Sequence, residues 1–266
     1  MNLIDFFKSF LLAFPGGYIG ALVLNLTIAS IFYSAFWKVF SKKFASRKII
    51  KNKQISSKQL KREFKNSFFA LAVAAFTSAL IVTLNQYELT GLYLEIDKHP
   101  LWVALLSVPM AFIIDDFWFY WVHRLLHTPW LYKYIHAEHH KSIQVTPFTS
   151  VSFHWIEPLL LTSWIIPAAV FLPVYAPALG IVQILGLLDN FKSHLGYEIY
   201  PRKFNDSRLS FLTTSTHHSL HHTKFNYNYA VHFRFWDRLM KTEFADYEKL
   251  YLQRLEDEEI SFDQVS

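Results

Sequence analysis

Residues 101–127 read LWVALLSVPMAFIIDDFWFYWVHRLLH, a long apolar run that ends in two histidines. The apolar part, from Leu101 to about Val122, has the ~20 residues that a helix needs to cross a bilayer. His123 and His127 then follow at a spacing of four, which places both imidazoles on one face of a helix. The segment predicts a membrane span that ends in a histidine pair at the membrane surface.

The rest of the chain has the same apolar character. Of its 266 residues 52% are hydrophobic, and the 18% that are charged fall below the roughly 25% usual for soluble domains. Three more apolar stretches run from Phe10 to Trp37, from Phe68 to about Leu84, and from Leu159 to about Leu188, the last interrupted by three prolines. We predict an all-α fold with about four membrane spans, the last a proline-broken hairpin. A soluble protein with buried helices is the alternative, but a chain this short could hardly bury so many long apolar segments.

Basic residues predict the orientation of these spans. They crowd the loop between the first two apolar stretches, where Glu63 is the only acid, so the positive-inside rule places this loop in the cytoplasm. The net charge of +5 is then explained by topology and contact with anionic lipid headgroups, not by nucleic acid. Counting crossings places the end of the third span and everything after about Phe191, with nearly all the histidines, on the same cytoplasmic side. The amino terminus is expected to be an anchor and not a cleaved signal peptide.

Ten of the thirteen histidines lie in four clusters, and their spacing is helical. His136, His139 and His140 are related as i, i+3 and i+4, and a second trio repeats this spacing in STHHSLHH, residues 215–222. Asn190 and His194 form another i, i+4 pair. Each cluster is expected to point its imidazoles in one direction, as metal ligation requires. A lone histidine pair is as often structural, but two such trios and two pairs on one predicted membrane face indicate a metal site. His99, His154 and His232 are scattered.

The number of histidines points to more than one metal ion. A single zinc site takes three or four protein ligands, so nine or ten imidazoles match two ions. The chain has no cysteine, which excludes disulfides, thiolate metal sites and Fe–S clusters. Imidazole without thiolate suits Zn, Cu, Fe or Ni, and the spacing alone leaves the choice of metal open.

The motifs resemble a known family. HX3H at residues 123–127 and HX2HH at 136–140 and 218–222 are similar to the histidine boxes of the fatty acid hydroxylase/sterol desaturase superfamily of membrane di-iron oxygenases. HHTKFNYNYAVHFRFWDRLMKT and HLGYE resemble further segments of that family. The likeness covers roughly residues 100–245, so we predict membrane helices in 1–99, a catalytic domain in 100–245 with a cytoplasmic helical histidine-rich cap, and an acidic tail in 246–266. The chain departs from the family pattern at Trp155, Asn190, Ala230 and Lys241.

The resemblance implies two non-haem iron ions, with zinc as a substitute in a purified sample. It implies an O2-dependent enzyme that hydroxylates or desaturates a C–H bond of a lipid such as a sterol, a sphingoid base or a fatty acyl chain. The implied metal ligands are His123, His127, His136, His139, His140, His194, His218, His221 and His222. Residues expected around these ligands, to orient the imidazoles, are Asp115, Asp116, Glu138, Asp189, Asn190, His217 and Asp237, with His217 also a candidate tenth ligand.

Electrons must come from elsewhere, because the chain contains no nucleotide-binding or haem-binding motif. The resemblance implies a separate donor, cytochrome b5 with its NAD(P)H reductase or a ferredoxin system, and the basic loop or Lys141 is a candidate docking site for it. The implied location is the endoplasmic reticulum or a bacterial inner membrane. Two alternatives remain open from the sequence: a catalytically silent homologue, and a membrane protein that binds or transports metal. Transport would favour ligands strung across the membrane instead of gathered on one face.

Overall fold

The computed structural model describes residues 2–51, 54–253 and 255. Throughout these residues the regular structure is helical and no strand forms, which confirms the all-α prediction. The acidic tail predicted for 246–266 lies mostly outside the described residues. The described α-helices are α1 Leu3–Tyr33, α2 Ser57–Gln86, α3 Leu101–Leu126, α4 Pro129–Leu131, α5 Ala137–His140, α6 Ile156–Thr162, α7 Ile165–Phe171, α8 Ala176–Ser193, α9 Ser215–Lys224 and α10 Phe235–Leu239. Ser34–Val39 and Tyr132–His136 are π-helical, and Ala45–Arg47, Pro147–Val151 and Arg202–Asp206 are 3-10 turns.

Three helices are long and apolar enough to cross a membrane: Leu3–Val39, Ser57–Gln86 and Leu101–Leu126. They contain the first three predicted apolar stretches and extend each of them. Many of their apolar side chains have no protein partner; Leu12 is 81% exposed and Leu105 64% exposed. Soluble proteins rarely leave such continuous apolar surfaces in water, so these faces are built for contact with lipid.

The fourth apolar stretch folds as shorter helices, as its prolines predict. The segment α6–α7 ends at Phe171, the chain turns through 172–175, and Pro177 lies in the first turn of α8, where its missing N–H removes no hydrogen bond. These helices build the main apolar core, in which Trp164, Ala169 and Val182 pack against Ala111 of α3. α3 and α8 therefore form a rigid pair, and each leads into a histidine cluster.

A polar region containing the histidines is tied to the membrane helices by Glu63 of α2, whose side chain is fully buried. Its carboxylate accepts hydrogen bonds from Gln59 and from the hydroxyls of Ser142, Thr146 and Thr149, at 2.7–2.8 Å. The last three belong to the loop that follows the His136–His140 trio. Glu63, the only acid in the basic segment between the first two apolar stretches, thus fixes the loop that follows the His136–His140 trio.

A second polar anchor holds the chain after α9. The carboxylate of Asp237 accepts hydrogen bonds from the backbone N–H groups of Tyr229 and Ala230, both at 2.9 Å, and from the Thr242 hydroxyl at 2.7 Å. Lys241, next to Thr242, adopts a left-handed conformation with φ of +56°. This conformation favours glycine, which agrees with Lys241 standing where the family has a glycine.

Candidate metal centre

The nine histidines predicted as ligands form two compact groups. His123, His127, His136, His140 and His221, called here the five-histidine group, bring one ring nitrogen each within 4.8 Å of one another. His139, His194, His218 and His222, the four-histidine group, do the same. Adjacent rings of the two groups are close, with 5.8 Å between the centroids of His139 and His140. Two neighbouring sites, each able to hold one ion, are therefore built into the fold.

Each histidine trio is divided between the two groups. His136 and His140, at i and i+4, enter the five-histidine group, whereas His139, at i+3, enters the other. On α9 the division is reversed, because His218 and His222 join the four-histidine group and His221 joins the five-histidine group. On a helix the i+4 side chain is turned about 40° from residue i and the i+3 side chain about 60° in the opposite direction. The sequence predicts that each cluster points its imidazoles in one direction. The structure shows instead that each trio supplies imidazoles to both groups.

Backbone and carboxylate acceptors fix the orientation of five rings. The Nδ1 atom of His123 donates to the carbonyl of Tyr229 at 2.6 Å, and that of His136 to the carboxylate of Glu157 at 2.7 Å. The Nδ1 atoms of His139, His194 and His221 point in the same way to the carbonyls of Ser152, Asn190 and Tyr227, at 3.3, 2.9 and 2.7 Å. A hydrogen on Nδ1 leaves the lone pair on Nε2, the atom that faces the group.

The tautomer with its hydrogen on Nδ1 directs the lone pairs on Nε2 into each group, which is the arrangement that fits a metal ion. The Nε2 atoms of His123 and His136 lie 3.1 Å apart, and those of His139 and His194 lie 3.3 Å apart, although each ring already uses its hydrogen at Nδ1. Two buried lone pairs that face each other repel unless a cation lies between them. Two nitrogens that are each about 2.1 Å from one ion are roughly 3.0–3.4 Å apart at ordinary coordination angles. The observed spacing is therefore that of neighbouring ligands of one ion.

Burial keeps these imidazoles neutral, as ligation requires. It lowers the pKa of His194 to about 4 and, with the nearby charge of His123, the pKa of His127 to about 2. Burial likewise lowers the pKa of the remaining rings outside the membrane spans well below its usual value. No ring of these groups competes for its metal with a proton at neutral pH.

The residues predicted to orient the ligands have other partners. Glu138 bonds Asn66 and Lys141, and Asp116 accepts the backbone N–H of Phe233 at 3.1 Å. Asp115 and Asp189 both bond His232, which belongs to neither group. Asn190 contributes only through its carbonyl, which accepts from His194. Asp237 acts one step further away, through the loop whose Tyr229 carbonyl holds His123.

His217 lies outside both groups. Its ring is fully buried, and its Nε2 atom lies 3.5 Å from the Asp237 carboxylate and 3.8 Å from that of Glu243. It occupies the first turn of α9 and packs against the ring of Tyr247. The structure therefore places the first histidine of the octet in the core behind the metal centre.

Glu157 is the acid that sequence reasoning left out of this site. It is fully buried and bonds His136 directly. A signal existed, because Glu157 lies in FHWIEP, residues 153–158, the segment that departs from the family pattern at Trp155. The carbonyl acceptors have no side-chain signature, and only the folded backbone reveals them.

A cavity joins the histidines to the membrane helices. It has a volume of about 510 Å³ between α1, α2, α3, α6, α7 and α8 and is lined mostly by apolar side chains. A space of about 20 Å³ next to His123, His136, His139, His194 and His218 shares Phe119, Phe153 and Val231 with the cavity wall. This smaller space holds about one water-sized molecule. The cavity has the size of a small-molecule binding site, and the smaller space that shares part of its wall contacts both histidine groups.

These features define a class: a helical membrane protein with two adjoining histidine groups that can hold metal beside an apolar cavity. Comparison with known proteins agrees with this class. The family model for fatty acid hydroxylase matches residues 108–242, which is half of the chain. The chain belongs to the fatty acid hydroxylase family. No solved structure matches the chain.

Several characterised proteins are similar to it. Lathosterol oxidase of Rattus norvegicus is 32% identical over 200 residues, which are 72% of this chain and 63% of that protein. Delta(7)-sterol 5(6)-desaturase erg3A of Aspergillus fumigatus is 26% identical over 238 residues, 88% of this chain and 63% of that protein. Methylsterol monooxygenase 1 of Rattus norvegicus is 32% identical over 148 residues, 55% of this chain and 50% of that protein. The chain spans between half and two thirds of the length of these relatives.

Proposed function

We propose that this chain is a membrane-bound, O2-dependent oxidoreductase that hydroxylates or desaturates a C–H bond of a lipid at a di-iron centre. The observation that carries the proposal is that two imidazole groups meet at a small space that shares its wall with one apolar cavity. The relatives named for sterol oxidation and desaturation make sterols the first lipid class to test. Two irons held by the nine histidines would supply the activation of O2 and the oxidation of an unactivated C–H bond.

The chain's own residues have three tasks in this reaction. The apolar wall binds the lipid and excludes water, and Phe119 and Phe153 lie where the cavity meets the histidines. Glu157 and the carbonyl of Tyr229 keep the ring nitrogens of His136 and His123 turned towards the centre. The narrow space at the histidines leaves room for a small molecule such as O2 but not for bulk water.

The same proposal includes the partners and the membrane side. Electrons come from a separate donor, either cytochrome b5 with its NAD(P)H reductase or a ferredoxin system. The basic loop between α1 and α2 supports a cytoplasmic position for the histidines by the positive-inside rule. A membrane that contains such a donor, the endoplasmic reticulum or a bacterial inner membrane, is the expected location.

The test is a reconstitution with iron. The purified chain in lipid nanodiscs receives Fe²⁺, an electron-donor system and a panel of sterols, sphingoid bases and acyl lipids, with and without O2. An O2-dependent mass change of +16 indicates hydroxylation and one of −2 indicates desaturation. A variant with His218→Ala and His221→Ala, which removes one ligand from each group, is the control. If an iron-loaded protein with a reduced donor oxidises none of these lipids, the proposed function is wrong.

A further inference from the structure

A polar cluster lies in the wall of the cavity, separate from both histidine groups. It consists of Asp115, Asp189 and His232 and is called here the Asp–His–Asp cluster. The Nδ1 atom of His232 lies 2.7 Å from Asp189 and its Nε2 atom 3.1 Å from Asp115. Lys192 forms an ion pair with Asp189. Charged groups are costly beside an apolar cavity, so their presence there needs an explanation.

Asp115 has hydrogen-bonding capacity left on the cavity side. One carboxylate oxygen accepts from the indole of Trp164 at 2.7 Å and the other accepts from His232. A carboxylate has about four lone-pair positions, so two remain. Asp115 lines the cavity with 22% of its side chain exposed, whereas the ring of His232 is 4% exposed. Asp115 is thus the member of the cluster that a ligand in the cavity can reach.

A glycine keeps this carboxylate accessible. Gly186 of α8 lines the cavity beside the cluster, and a Cβ atom there would lie 3.6 Å from His232 and 3.8 Å from the Asp115 carboxylate. These are ordinary contact distances, so alanine would fit without strain but would cover the cluster. Gly180, one and a half turns earlier, also lines the cavity and has nothing within 4 Å of such an atom.

The charges of the cluster favour one ligand chemistry. Although burial alone lowers the pKa of His232, its hydrogen bonds to Asp115 and Asp189 raise that pKa to about 10, so the ring is a cation. Two carboxylates then face two cations, His232 and Lys192, and the cluster carries no surplus charge for an ammonium group to pair with. A fatty-acid carboxylate would be repelled by Asp115. A neutral hydroxyl, which donates one hydrogen bond, matches the acceptor that remains.

We propose that Asp115 accepts a hydrogen bond from the hydroxyl group of a lipid alcohol in the cavity, while His232 and Asp189 hold the carboxylate in position. This inference rests on the proposed function, because it assigns the polar end of the substrate. The ring of Phe119 separates the cluster from the histidines, at 6.4 Å from the His232 ring and 5.2 Å from the His123 ring. The oxidised C–H bond is therefore expected within a few carbons of the hydroxyl-bearing carbon.

The test compares an alcohol with its methyl ether, which keeps the shape but cannot donate. Tritiated lathosterol and tritiated lathosterol methyl ether are bound to the purified full chain in nanodiscs, and their dissociation constants are measured. The wild type is expected to bind the alcohol about tenfold more tightly, as a hydrogen bond to a charged group implies. Gly186→Ala and Asp115→Asn should reduce this preference to about onefold to twofold. Gly180→Ala, a matched change on the same helix and cavity wall, should keep it.

The outcomes separate this inference from the proposed function. Equal binding of alcohol and ether by the wild type, weak binding of both, or a preference that survives in both variants overturns the role of Asp115. If Asp115→Asn does not fold, Gly186→Ala decides, since it adds one methyl group and favours helix. Oxidised product is measured in the same nanodiscs. If a lipid is oxidised but the alcohol is not preferred over its ether, only the proposed hydroxyl site is wrong. If the alcohol is preferred but no lipid is oxidised, only the proposed function is wrong.

Discussion

The two histidine groups lie side by side but are not equivalent. The five-histidine group contains His136, which donates to the buried carboxylate of Glu157, and two of its other rings donate to carbonyls. The four-histidine group has one ligand fewer, and the acceptors of His139 and His194 are neutral carbonyls. A carboxylate partner makes an imidazole more basic and fixes its ring more firmly than a carbonyl does.

Because of this difference, the five-histidine group would hold an ion more tightly and the four-histidine group would leave its ion more open. Five imidazoles, one with a carboxylate behind it, leave few coordination positions free. Four imidazoles with neutral partners leave more of them for exchangeable ligands. We therefore expect the four-histidine group to lose its metal first and the five-histidine group to keep it.

The largest effect is expected from removing neighbouring ligands. His139→Ala leaves three histidines in the four-histidine group, whereas His140→Ala leaves four in the five-histidine group. The activity of both variants should fall by more than the roughly 100-fold that is lost when a residue that orients a metal ligand is replaced. Metal analysis should separate them, with one iron per chain in His139→Ala and more than one in His140→Ala. Equal iron contents would mean that the two groups do not differ as proposed.

Acidification of the metal-free protein should have the next largest effect. Each ligand whose folded pKa is lowered, such as His194 at about 4 against 6.5 when unfolded, makes the unfolded state bind more protons below pH 6.5. For His194 this contribution to stability is fully retained above pH 6.5 and falls by about 1.4 kcal/mol per pH unit as the pH decreases to about 4. Thermal unfolding with and without a chelator from pH 4 to 8 measures this. Bound metal should reduce the loss of stability at low pH.

The contribution of His232 to stability should have the opposite pH dependence, so this residue serves as an internal control. Its folded pKa is raised to about 10, so its contribution is complete below pH 6.5 and is lost as the pH rises towards 10. His232→Gln should remove the loss of stability at high pH and leave unchanged the loss of stability at low pH that the histidine ligands cause. An alkaline loss that persists in the variant would assign it to another group.

Glu157→Gln should weaken only the five-histidine group. It replaces the carboxyl group that bonds His136 with an amide, and changes of this kind lower metal affinity by about 10- to 100-fold. Competition with a chelator should show one of two irons released more readily. Glu138→Gln is the matched control, because Glu138 bonds Lys141 and Asn66 instead of a ligand ring. Loss of both irons with equal ease in Glu157→Gln would contradict the assignment of Glu157 to one group.

Glu63→Gln should act on the other group and on stability. Glu63 holds the loop that contains Thr149 and leads to Ser152, the carbonyl partner of His139. The neutral amide cannot accept all the hydrogen bonds of the carboxylate, and a cost of about 1–3 kcal/mol follows. Thermal unfolding measures the cost, and chelator competition should show earlier release from the four-histidine group. Unchanged release would mean that the loop does not control His139.

The smallest expected effect is at Lys241. Its left-handed backbone disfavours a residue with a Cβ atom by about 1 kcal/mol, so Lys241→Gly should raise the melting temperature slightly. Lys241→Ala should not, since alanine has the same Cβ atom. Metal content should stay unchanged in both variants, because Lys241 lies outside both groups. A gain with alanine as large as with glycine would assign the effect to the lost charge.

Much of the fold was predictable because the signals were local. Long apolar stretches predicted three helices of membrane-spanning length, and prolines predicted that the fourth stretch breaks into shorter helices. Histidine spacing gave ten clustered rings, and the family resemblance selected from them the same nine that the fold gathers. The acids around them were harder to predict. Asp115 and Glu138 are close to the ligands in sequence, yet their side chains point elsewhere, and Glu157 reaches His136 from another helix.

The helices and the chemical nature of the candidate metal ligands follow from the amino-acid sequence, because hydrophobic length and imidazole spacing are properties of short segments. The division of the ligands between the two groups depends on the folded structure. His139 and His140 are neighbours in the chain but belong to different groups, because successive side chains of a helix point about 100° apart and distant parts of the chain supply the rings that complete each group. The same packing placed Gly186 against the Asp–His–Asp cluster and left Asp115 open to the cavity. Such relations depend on the positions of whole helices, and no local pattern contains them.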